Sequence, residues 1–450
     1  MMSSQRQEWT VEDFDLMQLV YYDVNGTPRG KTIPKDVARK SLQDGIEFIQ
    51  VLQVVGLAAD FPMKVKELME GFTNGMFVPD LDTLVKWPWA CKPGRMVGQV
   101  IGHIIQEDGR PDPIAIRNQL DNQVRKLKTM GYTIQSSFSI QFTVFKRAND
   151  VCGEFLGPDS LLGVAPYDSI GVEDCMLDVC QELMDAGIEV ESWSSLPSKG
   201  AYEMTLVSTE GTASADAACR FKHGIKSAMA QRGFEATFMT HPSGAGDKAF
   251  STMIHRFSLH SALGQNVFMD EADEDKLSGI ARHWISGLLG HGAAMTALCC
   301  PTVNCYSRFN HDVTFPKRLD WEIDDATACL SVRLNGRDVW IENRLPTAAC
   351  NPFCVLLATL AAGLEGIEKE MTCPQKSDSG AALVPQSLGS ALDSLKSDGL
   401  FREAVSSVLL RAFINVKDDY EVAKFNALED DADKAEKFIK LENEYFLLRL

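Results

Sequence analysis

The chain has 450 residues, an ordinary globular composition with 45% hydrophobic and 24% charged residues, and a formal net charge of −18. That acidity disfavours nucleic acid and anionic membranes as partners, because both need clustered Lys and Arg to displace counterions. No run of about 18 apolar residues occurs, and the polar start from Met1 to Thr10 lacks the apolar core of a signal peptide, so neither a membrane span nor secretion is expected.

In chain order, Phe14 to Val24 alternates as a strand, Asn25-Gly26 marks a tight turn, and Thr27 to Ile33 completes a hairpin. Helical text runs from Pro34 to about Leu42, followed by a loop-rich stretch to Val78 and a strand from Arg95 to Gln106. The run Gly109-Arg110-Pro111-Asp112-Pro113 has the composition of a linker, which divides the chain into units 11–108 and 109–450. Ile116, Leu120, Val124 and Leu127 then share one face of a helix over Ile114 to Met130.

Ile134 to Phe145 is the most informative strand. Ile134, Ser136, Phe138, Ile140, Phe142 and Val144 fall on one face, and Gln135, Ser137, Ser139, Gln141, Thr143 and Phe145 on the other. The first face is core. The second carries hydroxyls and carboxamides without a charge, which fits a site, a polar cavity or a subunit interface. Further on, Glu173 to Ala186 and Ala215 to Gln231 are amphipathic helices, Glu189 to Trp193 and Ala201 to Val207 are strands, and Leu277 to Ala297 is apolar helical text. From Leu388 the chain is almost all helix, with the run Glu429 to Asp433 as a solvated face or helix start and an apolar end at Phe446 to Leu448 and Leu450. Paired strands separated by long helices indicate an α+β body. The twelve scattered cysteines lack zinc-site spacing and are expected as reduced packing residues in a cytoplasmic compartment.

Several motifs occur in a telling order: D-V-N-G-T-P-R-G-K-T-I-P (Asp23 to Pro34), P-D-L-D-T-L (Pro79 to Leu84), G-L-L-G-H-G-A-A-M-T-A (Gly287 to Ala297), P-T-V-N-C-Y-S-R-F (Pro301 to Phe309) and I-E-N-R-L-P (Ile341 to Pro346). Together they resemble the glutamine synthetase family over nearly the whole chain. The resemblance implies a β-grasp amino-terminal domain over 11–108, then a guanido-kinase-like α+β domain over 109–450 whose curved strands line a funnel. There the family holds two or three Mg²⁺ or Mn²⁺ ions between ATP and glutamate, forms γ-glutamyl phosphate, and lets ammonia attack it.

Hard divalent ions need anionic oxygen ligands, and phosphoryl transfer needs cations around the departing phosphate. Against the six metal positions the resemblance implies, the chain places Ser139, Gln141, Leu196, Glu203, Ile254 and Glu342, of which only Glu203 and Glu342 keep a carboxylate. His255, next to Ile254, should point away from the funnel, as neighbours on a strand do. The phosphate-gripping arginines fall on Ala326 and Ser331, with Arg333 near enough to substitute only through a slip of register. The flap glutamate falls on Thr314, and the ammonium-site loop on Phe48 to Leu52 lacks its aspartate. Arg308 and Arg344, which in the family clamp the glutamate carboxylate, are retained as a possible vestigial anion site.

This pattern of loss resembles the lengsin branch of the family. It implies a non-catalytic protein without bound metal or cofactor: a structural or chaperone-like homo-oligomer, a dodecamer of two stacked hexameric rings, with intermediate-filament proteins as possible partners. Two other functions fit the same residues: a divergent ATP-dependent γ-glutamyl ligase with an altered metal site, and a binding module that uses Arg308 and Arg344.

Overall fold

The computed structural model describes residues 8–58, 74–148, 151–157, 172–243, 245, 249–310, 315–336, 338–428 and 433–450. Thr314 and most of the run Glu429 to Asp433 lie outside the described residues.

The amino-terminal sheet is built from β1 (Leu16–Tyr22), β2 (Pro28–Pro34), β3 (Ile46–Ile49), β4 (Asn74–Pro79), β5 (Val85–Lys86) and β6 (Val97–Ile105), with helix α1 (Lys35–Asp44) between β2 and β3. The order is β2-β1-β6-β4-β3, with β5 paired to β6; β1 runs antiparallel to β2 and parallel to β6. The hairpin is sound for local reasons. Gly26 takes φ +79°, and the fully buried Asp23 carboxylate accepts from the backbone N–H groups of Asn25 and Thr27, each at 2.9 Å, and from Arg29 Nε at 3.0 Å. Phe14, Met17, Tyr21, Phe48, Phe77 and Ile104 form the core of this unit.

The segment read as a linker is pinned to its surroundings. Asp112 is 1% exposed, and it accepts from Gln53 Nε2 at 2.8 Å and from Ile114 N at 3.0 Å. The chain then enters α2 (Ile116–Thr129), whose Ile116, Leu120 and Leu127 are buried as their spacing requires.

The large sheet comprises β7 (Tyr132–Ala148), β8 (Val151–Phe155), β9 (Val190–Ser195), β10 (Ala201–Leu206), β11 (Thr209–Glu210), β12 (Glu235–Thr237), β13 (Met253–Ser261), β14 (Trp321–Ile323), β15 (Leu330–Asn335) and β16 (Asp338–Asn343). Its order is β14-β15-β16-β13-β7-β10-β9, with β8, β11 and β12 also on β7. Among the described residues, β14 and β15 are the only parallel neighbours in this sheet. One face of β7 is closed: Ile134, Ser136, Phe138, Ile140, Phe142 and Val144 are each at most 1% exposed.

Helices α3 (Glu173–Asp185), α4 (Ala213–Gln231), α5 (Gly279–Gly290), α6 (Gly292–Cys299) and α7 (Pro352–Glu368) supply the rest of the core. Helices α5 and α7 touch through glycine. A Cβ at Gly287 would lie 2.1 Å from the Ala362 carbonyl oxygen, and one at Gly366 would lie 2.1 Å from that of His283, so any side chain forces the pair apart.

One expectation needs correction. Leu277 to Ala297 is not one helix, because the Gly290-His291-Gly292 break divides it and His291 turns to bond Asp398 at 2.8 Å and Glu365 at 2.5 Å. The apolar end packs inward: Phe446, Leu447 and Leu450 are at most 4% exposed, and Phe446 stacks on Phe425. The eleven cysteines whose side chains are described are free thiols, and eight of them are buried. No described helix is long and apolar enough to cross a membrane.

Candidate functional site

The second face of β7 is where the strands bring distant residues together, because residues directly opposite across a ladder share a face. Register pairs Ser139 with Thr205 on one side and Ile254 on the other. One step along, Ser137 faces Arg256, Arg256 faces Glu342, and Glu342 faces Ser331, a row running across four strands. Gln141 faces Glu203.

Gln141 is fully engaged. Its Nε2 donates to Glu203 Oε2 at 2.8 Å and its Oε1 accepts from Thr252 N at 2.9 Å. Ser139 Oγ accepts from Thr205 Oγ1 at 3.0 Å. His255 points to the opposite face as strand geometry demands: it is fully buried, stacks on Phe138 at 4.6 Å, and burial pushes its imidazole down to about 3.

Between β9 and β10, Leu196 is half-buried, and with Ile254, Phe250 and Phe315 it forms the apolar wall of a cavity of about 270 Å³. Gln141 and Arg344 are among its polar lining. The Arg344 Nε is buried without a hydrogen-bond partner among the described residues, while its Nη1 donates to Glu342 Oε2 at 3.2 Å.

The two arginines that the resemblance pairs as a clamp do not share a surface. Arg308 is 0% exposed, donates to the carbonyls of Leu345 and Pro346, and lies over the rings of Phe309 and Phe315. Ala326 is exposed in the turn before β15, and Ser331 is fully buried with no partner for its Oγ among the described residues.

Positions 331 and 333 share one face of β15, and the long Arg333 side chain reaches Glu342, with Nε at 3.1 Å from Oε2. Arg256 joins from β13, its Nε 3.8 Å from Glu342 Oε1 and its guanidinium 5.4 Å from the centre of the Trp340 ring. Three guanidinium groups therefore surround a carboxylate that is 9% exposed. Counting only the ligands lost from known positions misses this gain; the available signal was alternation, which puts Arg256 beside Ile254's face and Arg333 beside Ser331's.

Glu203 and Glu342 do not gather around one divalent ion: they lie on β10 and β16, three strand spacings apart, roughly 14 Å along a sheet, whereas two ligands of one Mg²⁺ sit within about 4 Å of each other. Among the described residues no group of three or more His, Cys, Asp or Glu is placed to hold a metal.

The comparisons with known proteins fix the family. Residues 113–436 match "Glutamine synthetase, catalytic domain". The glutamine synthetase of Pyrococcus furiosus is 29% identical over 89% of this chain and 89% of its own length. Human lengsin is 25% identical over 94% of this chain and 82% of its own. The solved structure "GmaS/ADP complex-Conformation 1" superposes with a TM-score of 0.82 at 23% identity, covering 96% and 99% of the two chains.

These findings overturn the reading of a non-catalytic scaffold. Proteins named glutamine synthetase match at an identity at least as high as lengsin does, so the likeness to lengsin gives the lengsin branch no preference, and the filament-associated role loses its basis. A match over well over half of the sequence carries the remaining conclusion: the chain belongs to the glutamine synthetase family.

Proposed function

We propose that this protein is an ATP-dependent ligase that joins an amine to a side-chain carboxylate, a γ-glutamyl ligase whose metal site is altered. A carboxylate oxygen attacks the γ-phosphorus of ATP and ADP leaves. The amine nitrogen then attacks the acyl carbon, phosphate departs, and the nitrogen loses one proton. The observation that carries this reading is the match of residues 113–436 to the catalytic domain, together with relatives named glutamine synthetase along most of the chain.

The cavity supports it chemically. Arg344 lines it with a buried Nε still free to donate, and a guanidinium suits a carboxylate. The opposite wall of Leu196, Ile254 and Phe250 favours a substrate with apolar substance, such as a short alkylamine, over bare ammonia. Among the described residues no three donors gather to hold one ion, and no step here is routed through a metal.

The same resemblance supports finer assignments, each made as a proposal: a β-grasp unit over 11–108, the catalytic unit over 109–450, a cytoplasmic location, and assembly into a homo-oligomer that sedimentation velocity would weigh against a dodecamer. The decisive test incubates the purified protein with ATP, glutamate and either ammonia, hydroxylamine or short alkylamines. Amide formation matched by ADP release, and reduced at least about tenfold in Arg344→Gln, is the expected result. ADP release without amide from any amine would overturn the reading.

A further inference from the structure

A lysine ammonium is costly to bury without an opposite charge beside it, and one corner of the fold gathers several cations. A cavity of about 50 Å³ lies between the Asn25-Gly26 turn of the amino-terminal hairpin, helix α4 and residues Arg449 and Leu450. It shares no lining residue with the cavity of Arg344, and α4 contributes Lys222, His223 and Lys226 to its wall. We propose that this cavity binds a small oxyanion that carries a proton, with hydrogen phosphate the best fit, its oxygens accepting from Lys226, Lys222 and Arg449 and its O–H donated to Asn25. The inference does not depend on the ligase reading.

Its first support is a surplus of positive charge. Lys222 is 8% exposed, and its Nζ donates to the carbonyls of Ala348 and Cys350 at 2.8 and 3.0 Å, with the centre of the Phe238 ring 5.0 Å away. Lys226 is half-buried, and its Nζ donates to the Leu448 carbonyl at 3.0 Å. Arg449 adds a third cation, and among the described residues none of the three forms an ion pair with a carboxylate. The acid whose charge acts on Lys226 is Glu235, on β12; burial and then the Lys222 charge outweigh it and press the Lys226 ammonium down to about 7. An ammonium has three N–H groups, so Lys226 keeps two to offer and Lys222 one.

The second support is an acceptor among these donors. Asn25 is 8% exposed; its Nδ2 donates to the Val55 carbonyl at 2.7 Å, which fixes the amide, and its Oδ1 is buried with no partner among the described residues. A buried acceptor left alone is costly. Chloride and sulfate have no proton to give it at neutral pH, whereas hydrogen phosphate and bicarbonate do. His223 Nδ1 is likewise buried without a partner among the described residues. Burial, followed by the Lys226 charge, pushes that imidazole down to about 4, so the ring is neutral and one of its nitrogens can donate. The space of about 50 Å³ admits a few waters or one small ion, and neither a nucleotide nor an amino acid.

The test is calorimetric titration of the full-length protein at neutral pH and constant ionic strength with phosphate, bicarbonate, sulfate and chloride. Phosphate is expected to bind at least about tenfold more tightly than sulfate or chloride. Bicarbonate tests the other source of a proton-bearing oxyanion; the tighter of the two identifies the ion, and either supports the site. Lys226→Gln and Arg449→Gln should each weaken phosphate by about tenfold or more, and Lys226→Arg by less. Asn25→Ala should bring phosphate and sulfate to within about threefold of each other, a readout that a merely structural asparagine would not move. If that variant melts early, the preference for phosphate over sulfate in the parent and the loss in Arg449→Gln carry the test. Arg344→Gln should leave phosphate binding unchanged; a loss there would put the ion in the other cavity and overturn the inference. Equal affinity for phosphate, sulfate and chloride, no heat from phosphate or bicarbonate, or binding unchanged in both Gln variants of Lys226 and Arg449 overturns it as well.

Discussion

Two arginine clusters in this molecule invite comparison. Arg117, on α2, is 10% exposed; its Nε and Nη2 donate to the two Asp216 oxygens at 2.9 and 2.8 Å, and Nη2 also reaches Asp80 at 2.8 Å. His103, on β6, lies 3.6 Å from Asp80 and 3.4 Å from Asp121. This group fastens the amino-terminal sheet to α2 and α4, and acids outnumber cations in it. Around Glu342 the guanidinium groups of Arg256, Arg333 and Arg344 are 19–33% exposed, and among the described residues Arg344 Nε and Ser331 Oγ are left without hydrogen-bond partners. A network completed within the protein holds elements together; one left incomplete has capacity for a ligand.

The largest effect should separate the two. Arg117→Met strands Asp216 in a buried position without its bidentate partner, and losing one member of a buried pair costs about 3–5 kcal/mol, seen as a lowered urea midpoint at constant slope. Arg333→Gln removes a half-buried partner from a cluster that holds two other guanidinium groups, so its cost should stay below about 1 kcal/mol. Equal costs for the two variants would erase the distinction between a structural and a ligand-binding cluster.

A smaller effect tests how the donors of the site bear on metal binding. Leu196→Glu with Ile254→His puts two donors back on the side of the site that holds Glu203. The double variant should bind Mn²⁺ at about millimolar affinity or better, read by loss of the free-ion paramagnetic resonance signal, where the parent leaves that signal unchanged. A parent that binds Mn²⁺ as well as the double variant would show that the ligands come from elsewhere.

These contrasts also mark what the sequence could convey. The alternation over Ile134 to Phe145 sufficed for β7, Asn25-Gly26 for the hairpin, and the spacing of Ile116, Leu120 and Leu127 for α2, because each rests on local periodicity or turn chemistry. The Gln141–Glu203 and Arg256–Glu342 pairs depend on ladders between strands tens of residues apart, and register is not written in either strand alone. Substitution by substitution, the sequence shows which carboxylates and arginines are missing. It does not show that Arg256 and Arg333 return charge to the same face, since that follows only once β13, β15 and β16 are side by side. Arg308 errs the other way: its motif is kept, yet the fold encloses the side chain among carbonyls and phenylalanine rings.

The smallest effect concerns pH and belongs to the completed cluster. The hydrogen bond to Asp80 is the main influence raising the His103 imidazole above its ordinary value, with burial opposing it. The same bond to His103, followed by Arg117, holds Asp80 well below the usual carboxylate range. A raised histidine stabilises the fold fully below its unfolded value of about 6.5 and loses that contribution as pH rises through the folded one. A depressed aspartate stabilises above its unfolded value of about 3.9 and loses the contribution as pH falls through the folded one. Both act together between roughly pH 4 and 6.5. Because the His103 side chain is 37% exposed, the change on raising the pH to about 8.5 should be well under 1 kcal/mol. The sharper readout is the proton resonance of the His103 ring, which should titrate above 6.5 in the parent and lower in Asp80→Asn. A His103 titrating at or below 6.5 in the parent would mean that the cluster is not closed in solution, and its contrast with the arginines around Glu342 would weaken accordingly.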